Sequence, residues 1–367
     1  MTLIEKYGHG GDLLTAHQLF NKDSSQFLDF SANINPLGPP ARVIGLLKER
    51  LETIVHYPDP AHRVLKQKLA KKHSVSPEHI LIGNGAAECI ALVLLGLQPQ
   101  TVGVIYPCFS EYEQLALSYG AKIKTCFGKL ALDFKPARSE LLQLISETDL
   151  VFIGHPNNPT GIMYSMEELV EMAEQADQTN TYLVIDEAFI DFLPNQKQNT
   201  LLQELEKFKH VLLIRSMTKF YAIPGLRLGY VISRPALISK LQGKQVTWSV
   251  NQMALVAGEA CLEETEYEGE TIALVQEQRG SIKRSIEENL GWIVFPGQAN
   301  FLLVRLTEKI TSAELQWKMG QKGILIRSCS MYPGLTNKDF RIAIRTEQEN
   351  HYLIQAFNEV VKEGKEL

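Results

Sequence analysis

The sequence is short of several things, and each shortage removes a class of protein. Its five cysteines, Cys89, Cys108, Cys126, Cys261 and Cys329, include no CxxC pair. Five is odd, and most lie in or beside apolar segments. The expectation is reduced, buried thiols in a cytoplasmic protein, with no zinc or other metal site. No apolar run approaches the roughly 20 residues that span a bilayer, so no membrane partner is expected. The N-terminus, MTLIEKYGHGG, carries Glu5 and lacks the apolar stretch of a signal peptide. Surplus positive charge is missing as well. The 37 lysines and arginines are outnumbered by 42 acidic residues, and the net charge of −5 gives no support for a nucleic-acid partner. Internal repeats, low-complexity tracts and long linkers are absent. What remains is a chain of 367 residues, enough to bury a large core and to divide into two domains.

The first thirty-odd residues read as loop, because Gly8, Gly10 and Gly11 crowd one stretch and residues 33–40 are polar and proline-rich. Two amphipathic helices are expected over 42–53 and 62–73. From residue 79 short apolar runs alternate with amphipathic segments. The runs are 79–82, 102–106, 122–126, 150–154, 182–185, 211–214 and 229–232. The segments include 86–97, 166–177 and 201–208. This alternation predicts an α/β fold with a large, mostly parallel sheet. After Asn251 the character changes. A long charged helix over 263–288 precedes strands over 292–295, 301–306, 324–327 and 340–345, with helices over 312–321 and 347–365. These predict a smaller α+β domain. The expected division is an N-terminal arm (1–40) packing with the small domain, a large domain (41–255) and a small C-terminal domain (256–367).

Ligands in parallel sheets bind past the carboxyl ends of the strands, so the polar residues following the apolar runs matter most. VLLIRSMTKF presents one lysine, Lys219, beside the hydroxyls of Ser216 and Thr218, with Arg227 eight positions on. Hydroxyls and a guanidinium fork are what a phosphate needs. A lysine in apolar surroundings loses basicity and becomes a usable amine for a Schiff base. Together these point to pyridoxal phosphate. The turn Gly83-Asn84-Gly85-Ala86 opens a helix whose free N–H groups can hold phosphate; an ordinary strand-to-helix turn calls for the same glycines. His155-Pro156-Asn157-Asn158-Pro159-Thr160-Gly161 is a rigid turn that aims its asparagines. Asp186 directly follows the apolar YLVI. A buried carboxylate needs a partner, and a pyridinium N–H would be one. Arg327 and Arg341 sit on apolar strands, where each is either half of a structural ion pair or an anion ligand.

Taken together, GNGAAE, HPNNPTG, DEAFIDF and SMTKFYAIPGLRLGY resemble the fold-type I pyridoxal-phosphate enzymes of the aspartate aminotransferase superfamily, over nearly the whole chain. The resemblance implies that Lys219 anchors pyridoxal 5′-phosphate and that Asp186 pairs with its ring nitrogen. It places Asn157 on the ring hydroxyl and Phe109 stacked on the ring. The phosphate falls to the Gly85 and Ala86 backbone, Ser216, Thr218 and Arg227. Tyr57 matches a tyrosine that reaches the cofactor of the neighbouring subunit, which implies a homodimer with shared active sites. Arg341 matches the arginine that grips the substrate carboxylate. One position departs: Phe189 stands where many aminotransferases have a tyrosine on the ring hydroxyl.

Within the superfamily the chain is similar to the histidinol-phosphate aminotransferases and more similar to the L-threonine-O-3-phosphate decarboxylases of cobalamin synthesis. HGG at 9–11, DFSANINPLGPP at 29–40, WSVN at 248–251 and GILIRSCSMYPGL carry that likeness. It implies a phosphorylated amino-acid substrate, with Arg327 on its phosphate and His9, Gly10, Ser31, Asn33 and Asn157 completing the pocket. Decarboxylation is the expected reaction, and transamination of histidinol phosphate is the alternative.

Overall fold

The computed structural model describes residues 10–363. The first described element is a helix, Leu13–Phe20, where the sequence reads as loop. Its start is fixed by Asp12, which accepts from the backbone N–H of Thr15 at 3.0 Å, a side-chain cap that glycine counting misses. A two-residue strand, β1 (Leu28–Asp29), follows.

Seven strands then build one sheet: β2 (Ile80–Gly83), β3 (Thr101–Tyr106), β4 (Lys122–Phe127), β5 (Leu150–Gly154), β6 (Tyr182–Asp186), β7 (Val211–Ser216) and β8 (Gly229–Ser233). Their spatial order is β2-β8-β7-β6-β5-β3-β4. β8 runs antiparallel to both neighbours, and the remaining pairs are parallel. Every residue of β5 and β7 is buried, as expected of central strands covered on both faces by crossover helices. The edge strand β4 has no fully buried position, and only Ile123 and Cys126 are half-buried. One covering helix, Met166–Thr179, begins with a capping box between Ser165 and Glu168. The segment Leu201–Lys207 is a 3-10 helix rather than an α-helix. Leu201, Leu202 and Leu205 are all buried, and packing of so short a piece decides its form more than helical propensity does.

A 26-residue helix, Thr265–Leu290, ends at Gly291 in the left-handed conformation and leads to the second sheet. Its strands are β9 (Ile293–Val294) and β10 (Phe301–Arg305), then, past the short β11 (Ile324–Leu325), β12 (Arg327–Ser328) and β13 (Asp339–Ala343). The order β12-β13-β10-β9 is antiparallel throughout. The run 324–327 is therefore not one strand. Ile324 and Leu325 pair in parallel with β1, whereas Arg327 and Ser328 pair with β13. Phe30 of the arm sits in the apolar cluster under this second sheet, with Trp292, Phe340 and Phe357. Its N–H donates to the Leu325 carbonyl, and its own carbonyl accepts from Ala343 N–H.

Candidate active site

A cleft lies past the carboxyl ends of β2, β3, β5, β6 and β7, lined by Ala86, Phe109, Asn158, Asp186, Lys219 and Arg227. Its phosphate-type donors lie at one end. The helix Gly85–Leu97 begins there, with free N–H groups in its first turn. Gly85 has φ +82°, and a Cβ added to it would lie 2.7 Å from Arg227 Nη2. Glycine is therefore what lets the guanidinium lie against the turn. The buried hydroxyls of Ser216 and Thr218 are 2.7 Å apart. Lys219 follows on a single helical turn, Met217–Phe220. Its Nζ donates to Ser216 Oγ at 3.4 Å and lies 5.6 Å from the centre of the Phe189 ring. Burial pushes the Lys219 ammonium down to about 8. Asp186 opposes that shift, and the charges of Arg227 and Arg341 add to it.

Asp186 is held by two donors, Tyr112 Oη at 2.7 Å and Ala188 N–H at 3.0 Å. Burial raises its pKa, and Tyr112 and Lys219 work against the rise. A cationic ring N–H would favour the charged form in the same way. Tyr112 is itself clamped, stacked 4.9 Å from Phe152 and edge-on to Phe109 at 5.6 Å. A phosphate end, an amine, an aromatic wall and a buried carboxylate suit a phosphorylated pyridine carrying an aldehyde.

The two asparagines of the β5 turn divide. Asn157 Nδ2 donates to the Pro107 carbonyl at 2.9 Å and to Thr160 Oγ1 at 2.8 Å. Asn158 lines the cleft and accepts from Arg341 Nη1 at 2.5 Å. The ring-side contact expected of Asn157 thus has its better-placed candidate one residue later. The turn closes through Asn157 N–H to Ile162 O and Gly161 N–H to Asn157 O. Within it the two side chains take different partners, which the sequence leaves unresolved.

Arg327 and Arg341 are directly opposed across β12 and β13. Both are buried. Arg341 Nη2 donates to the Ser31 carbonyl at 2.6 Å, and the guanidinium lies over Phe301 at 5.4 Å. Arg327 lies 5.8 Å from the centre of the Tyr332 ring, and its Nη2 donates to Met331 Sδ at 3.7 Å. Ser31 is fixed by Asp29, which accepts from its N–H and its hydroxyl. Gly11 N–H donates to Ser31 Oγ at 2.9 Å. Gly10 passes so close that an added Cβ would meet the Ser31 carbonyl oxygen at 2.3 Å. Asn33 is buried, and its Oδ1 has no hydrogen-bond partner among the described residues. His9 lies outside the described residues. Tyr57 is far from this assembly's interior: it is 80% exposed, with its ring 4.7 Å from that of Trp248. Tyr112 and Asn158 were not singled out as site residues from sequence. Each owes its role to a partner distant in the chain.

The class I and II aminotransferase family matches residues 25–357. The chain belongs to that family. It is 36% identical to the threonine-phosphate decarboxylase of Salmonella typhimurium, over 96% of each chain. It is 31% identical to histidinol-phosphate aminotransferase 2 of Nitrosococcus oceani, over 91% of this chain and 92% of that one. The crystal structure of the histidinol-phosphate aminotransferase from Clostridium acetobutylicum superimposes with a TM-score of 0.85 at 30% identity, covering 91% of this chain and 98% of that one. The fold of this family member is accordingly the fold-type I transferase architecture, α/β with one large, mostly parallel sheet.

Proposed function

We propose that the protein is a pyridoxal 5′-phosphate-dependent carboxy-lyase. It converts L-threonine O-3-phosphate to (R)-1-aminopropan-2-yl phosphate and CO2, for the aminopropanol arm of cobalamin. The observation that carries this reading is the buried pair Arg327 and Arg341, opposed in adjacent strands beside the Lys219 cleft. Two guanidinium groups set this close match a small substrate that bears a carboxylate and a phosphate a few bonds apart. The similarity to a threonine-phosphate decarboxylase supports the same substrate class.

Pyridoxal 5′-phosphate, when bound, supplies an electron-accepting ring that stabilises the carbanion left when a bond at Cα breaks. The chain's own residues do the rest. Lys219 provides the amine that holds the cofactor's aldehyde. Asp186, oriented by Tyr112 and Ala188, accepts from the ring N–H. Phe109 walls one face. Gly85, Ala86, Ser216, Thr218 and Arg227 receive the cofactor phosphate. Arg327 takes the substrate phosphate, with Gly10, Ser31, Asn33 and, from outside the described residues, His9 around it. Arg341 orients the carboxylate without a tight clamp, because that group must leave as neutral CO2. Lys219 then delivers a proton to Cα.

The aminotransferase reading keeps a place because a histidinol-phosphate aminotransferase shares both the fold and 30% of the residues. Incubation of protein and cofactor with L-threonine O-3-phosphate, following CO2 and keto acid together, separates the two. CO2 without keto acid is expected; keto acid without CO2 overturns the proposal.

We further propose the division into an arm (1–40), a large domain (41–255) and a small domain (256–367), a cytoplasmic location and a homodimer with shared sites. The five free cysteines support the location. Among the described residues no helix is long and apolar enough to cross a membrane. Exposed Leu51, Ile54, Val55 and Tyr57 beside Trp248 form an apolar surface that a second copy would cover. Mixing inactive Lys219→Ala and Tyr57→Ala proteins should restore part of the activity in heterodimers; no recovery on subunit exchange would rule out the shared site.

A further inference from the structure

Lys219 rides on a helix of one turn, Met217–Phe220. A helix so short leaves most of its carbonyls to groups outside it. The chain that follows supplies Tyr221 N–H to Met217, Ile223 N–H to Thr218 and, at 3.4 Å, Ala222 N–H to Lys219. The arm meets the Lys219 carbonyl more closely and also reaches that of Phe220. Asn35 N–H donates to the Lys219 carbonyl at 3.0 Å. Asn35 Nδ2 donates to the Phe220 carbonyl at 2.7 Å and lies 2.8 Å from Tyr267 Oη and 2.7 Å from Thr271 Oγ1. Its Oδ1 accepts from Leu37 N–H at 3.1 Å. Tyr267 Oη reaches the same Phe220 carbonyl at 3.2 Å and the Gly38 carbonyl at 2.8 Å. Asn35 and Thr271 are both buried. One amide thus ties three elements together: the arm, the lysine's turn and the long helix Thr265–Leu290. The other end of the same strap is Ser31, whose carbonyl receives Arg341 at 2.6 Å. Only three residues, tightened by a turn in which Ile34 N–H donates to the Ala32 carbonyl, separate the contact with Arg341 from the contact with the lysine.

We propose that Asn35 is a positioning residue for the reaction: it fixes the backbone of Lys219 from the arm, and so sets the lysine's approach to the cofactor aldehyde and to Cα. The inference rests on the reading of Lys219 as the cofactor lysine. A guanidinium that turns from the Ser31 carbonyl to a substrate carboxylate releases one end of the strap, while Asn35 holds the other end on the lysine. Substrate arrival and lysine geometry are joined by this one segment. Small errors in the placement of a reacting group cost large factors in rate, so the burden on Asn35 falls on turnover rather than on substrate affinity.

The test is a comparison of Asn35→Ala, Asn35→Asp, Tyr267→Phe and Thr271→Val holoenzymes by three readouts. These are the pH midpoint of the cofactor's absorbance band without substrate, kcat and KM for phosphothreonine, and Tm. The aspartate variant places acceptors against the Phe220 carbonyl and should behave no better than alanine. Asn35→Ala should move the midpoint by about threefold in proton affinity or more, and lower kcat by roughly ten- to hundredfold with KM little changed. Tyr267→Phe and Thr271→Val should move the midpoint the same way but less far. They decide the matter alone if the Asn35 variants do not fold. A folded Asn35→Ala protein with the wild-type midpoint and kcat overturns the proposal. So does a fall in Tm and kcat with the midpoint unmoved, which marks a purely structural amide. Absence of any cofactor band in the wild-type protein would defeat the underlying reading of Lys219, an outcome distinct from a normal band whose midpoint stays put.

Discussion

Arg215 and Arg327 are equally buried, each 2% exposed, and the fold treats them in opposite ways. Arg215, on β7 of the large sheet, meets two carboxylates. Its Nε donates to Glu187 at 2.6 Å and its Nη1 to Asp191 at 3.3 Å. Arg327, on the second sheet, stands opposite another arginine and over the face of Tyr332. The first arrangement is a neutralised structural unit. In the second, the residue directly across the strand pair is another arginine, and the proposed substrate anions would lie beside the two. Burial alone therefore does not distinguish the two arginines; what stands across from each does.

The largest expected effect comes from breaking the first unit. Arg215→Leu leaves the buried Glu187 and the half-buried Asp191 without their cation, and should cost about 3–5 kcal/mol in denaturant unfolding. A loss under about 1 kcal/mol would mean the two sites do not differ as described. Arg327→Ala should instead leave stability nearly unchanged while lowering kcat/KM for phosphothreonine roughly ten- to hundredfold. The preference for phosphothreonine over threonine should disappear with it. Equal losses on both substrates would make Arg327 structural too. A third measurement sharpens the contrast by thermal shift. Saturating substrate analogue at about 100 times its Kd should stabilise the wild-type protein by about 2.7 kcal/mol. Arg215-side variants that still fold should gain nearly as much, and Arg327→Ala clearly less; identical gains would sever the link between the arginine pair and the anion.

The smallest expected effect concerns Lys219, which feels both Arg227 and Arg341. Its folded value of about 8 lies below its ordinary 10.5. Below pH 8 both folded and unfolded chains hold the proton, and the penalty of a buried ammonium is fully present. Between about 8 and 10.5 the unfolded chain alone stays protonated, so the cofactor-free protein gains stability as pH rises through that window. Lys219→Met should flatten this part of the Tm-against-pH profile. An unchanged slope would assign the effect to other groups.

The large sheet was legible because its signal is local. Apolar runs of four or five residues marked all seven strands to within two residues at each end. Asp186 was singled out for the same reason, since it directly follows such a run, and Ser216 and Lys219 lie two and five positions past the end of another. The remainder depends on partners far along the chain. Nothing near Tyr112 announces that its hydroxyl meets Asp186, 74 residues away. Nothing in the run 324–327 announces a change of sheet at Ile326. Leu325 and Arg327 look alike as strand residues until β1 and β13 claim them separately. Within HPNNPTG, the sequence offers two adjacent asparagines and no means of knowing which one the turn directs to the cleft.

The pairing of β1 with β11 joins residues roughly three hundred positions apart. A ribosome releases the arm long before its partner strand, so the arm waits through those intervening residues without its docking place. Until residue 324 emerges, Phe30 has no second-sheet core to enter, and Ser31 has no Arg341 to receive. A chain interrupted before β11 keeps every strand of the large sheet, along with Lys219 and Asp186, yet lacks Arg327 and Arg341. Such a partial polypeptide retains the residues proposed for the cofactor without the arginine pair proposed for the substrate.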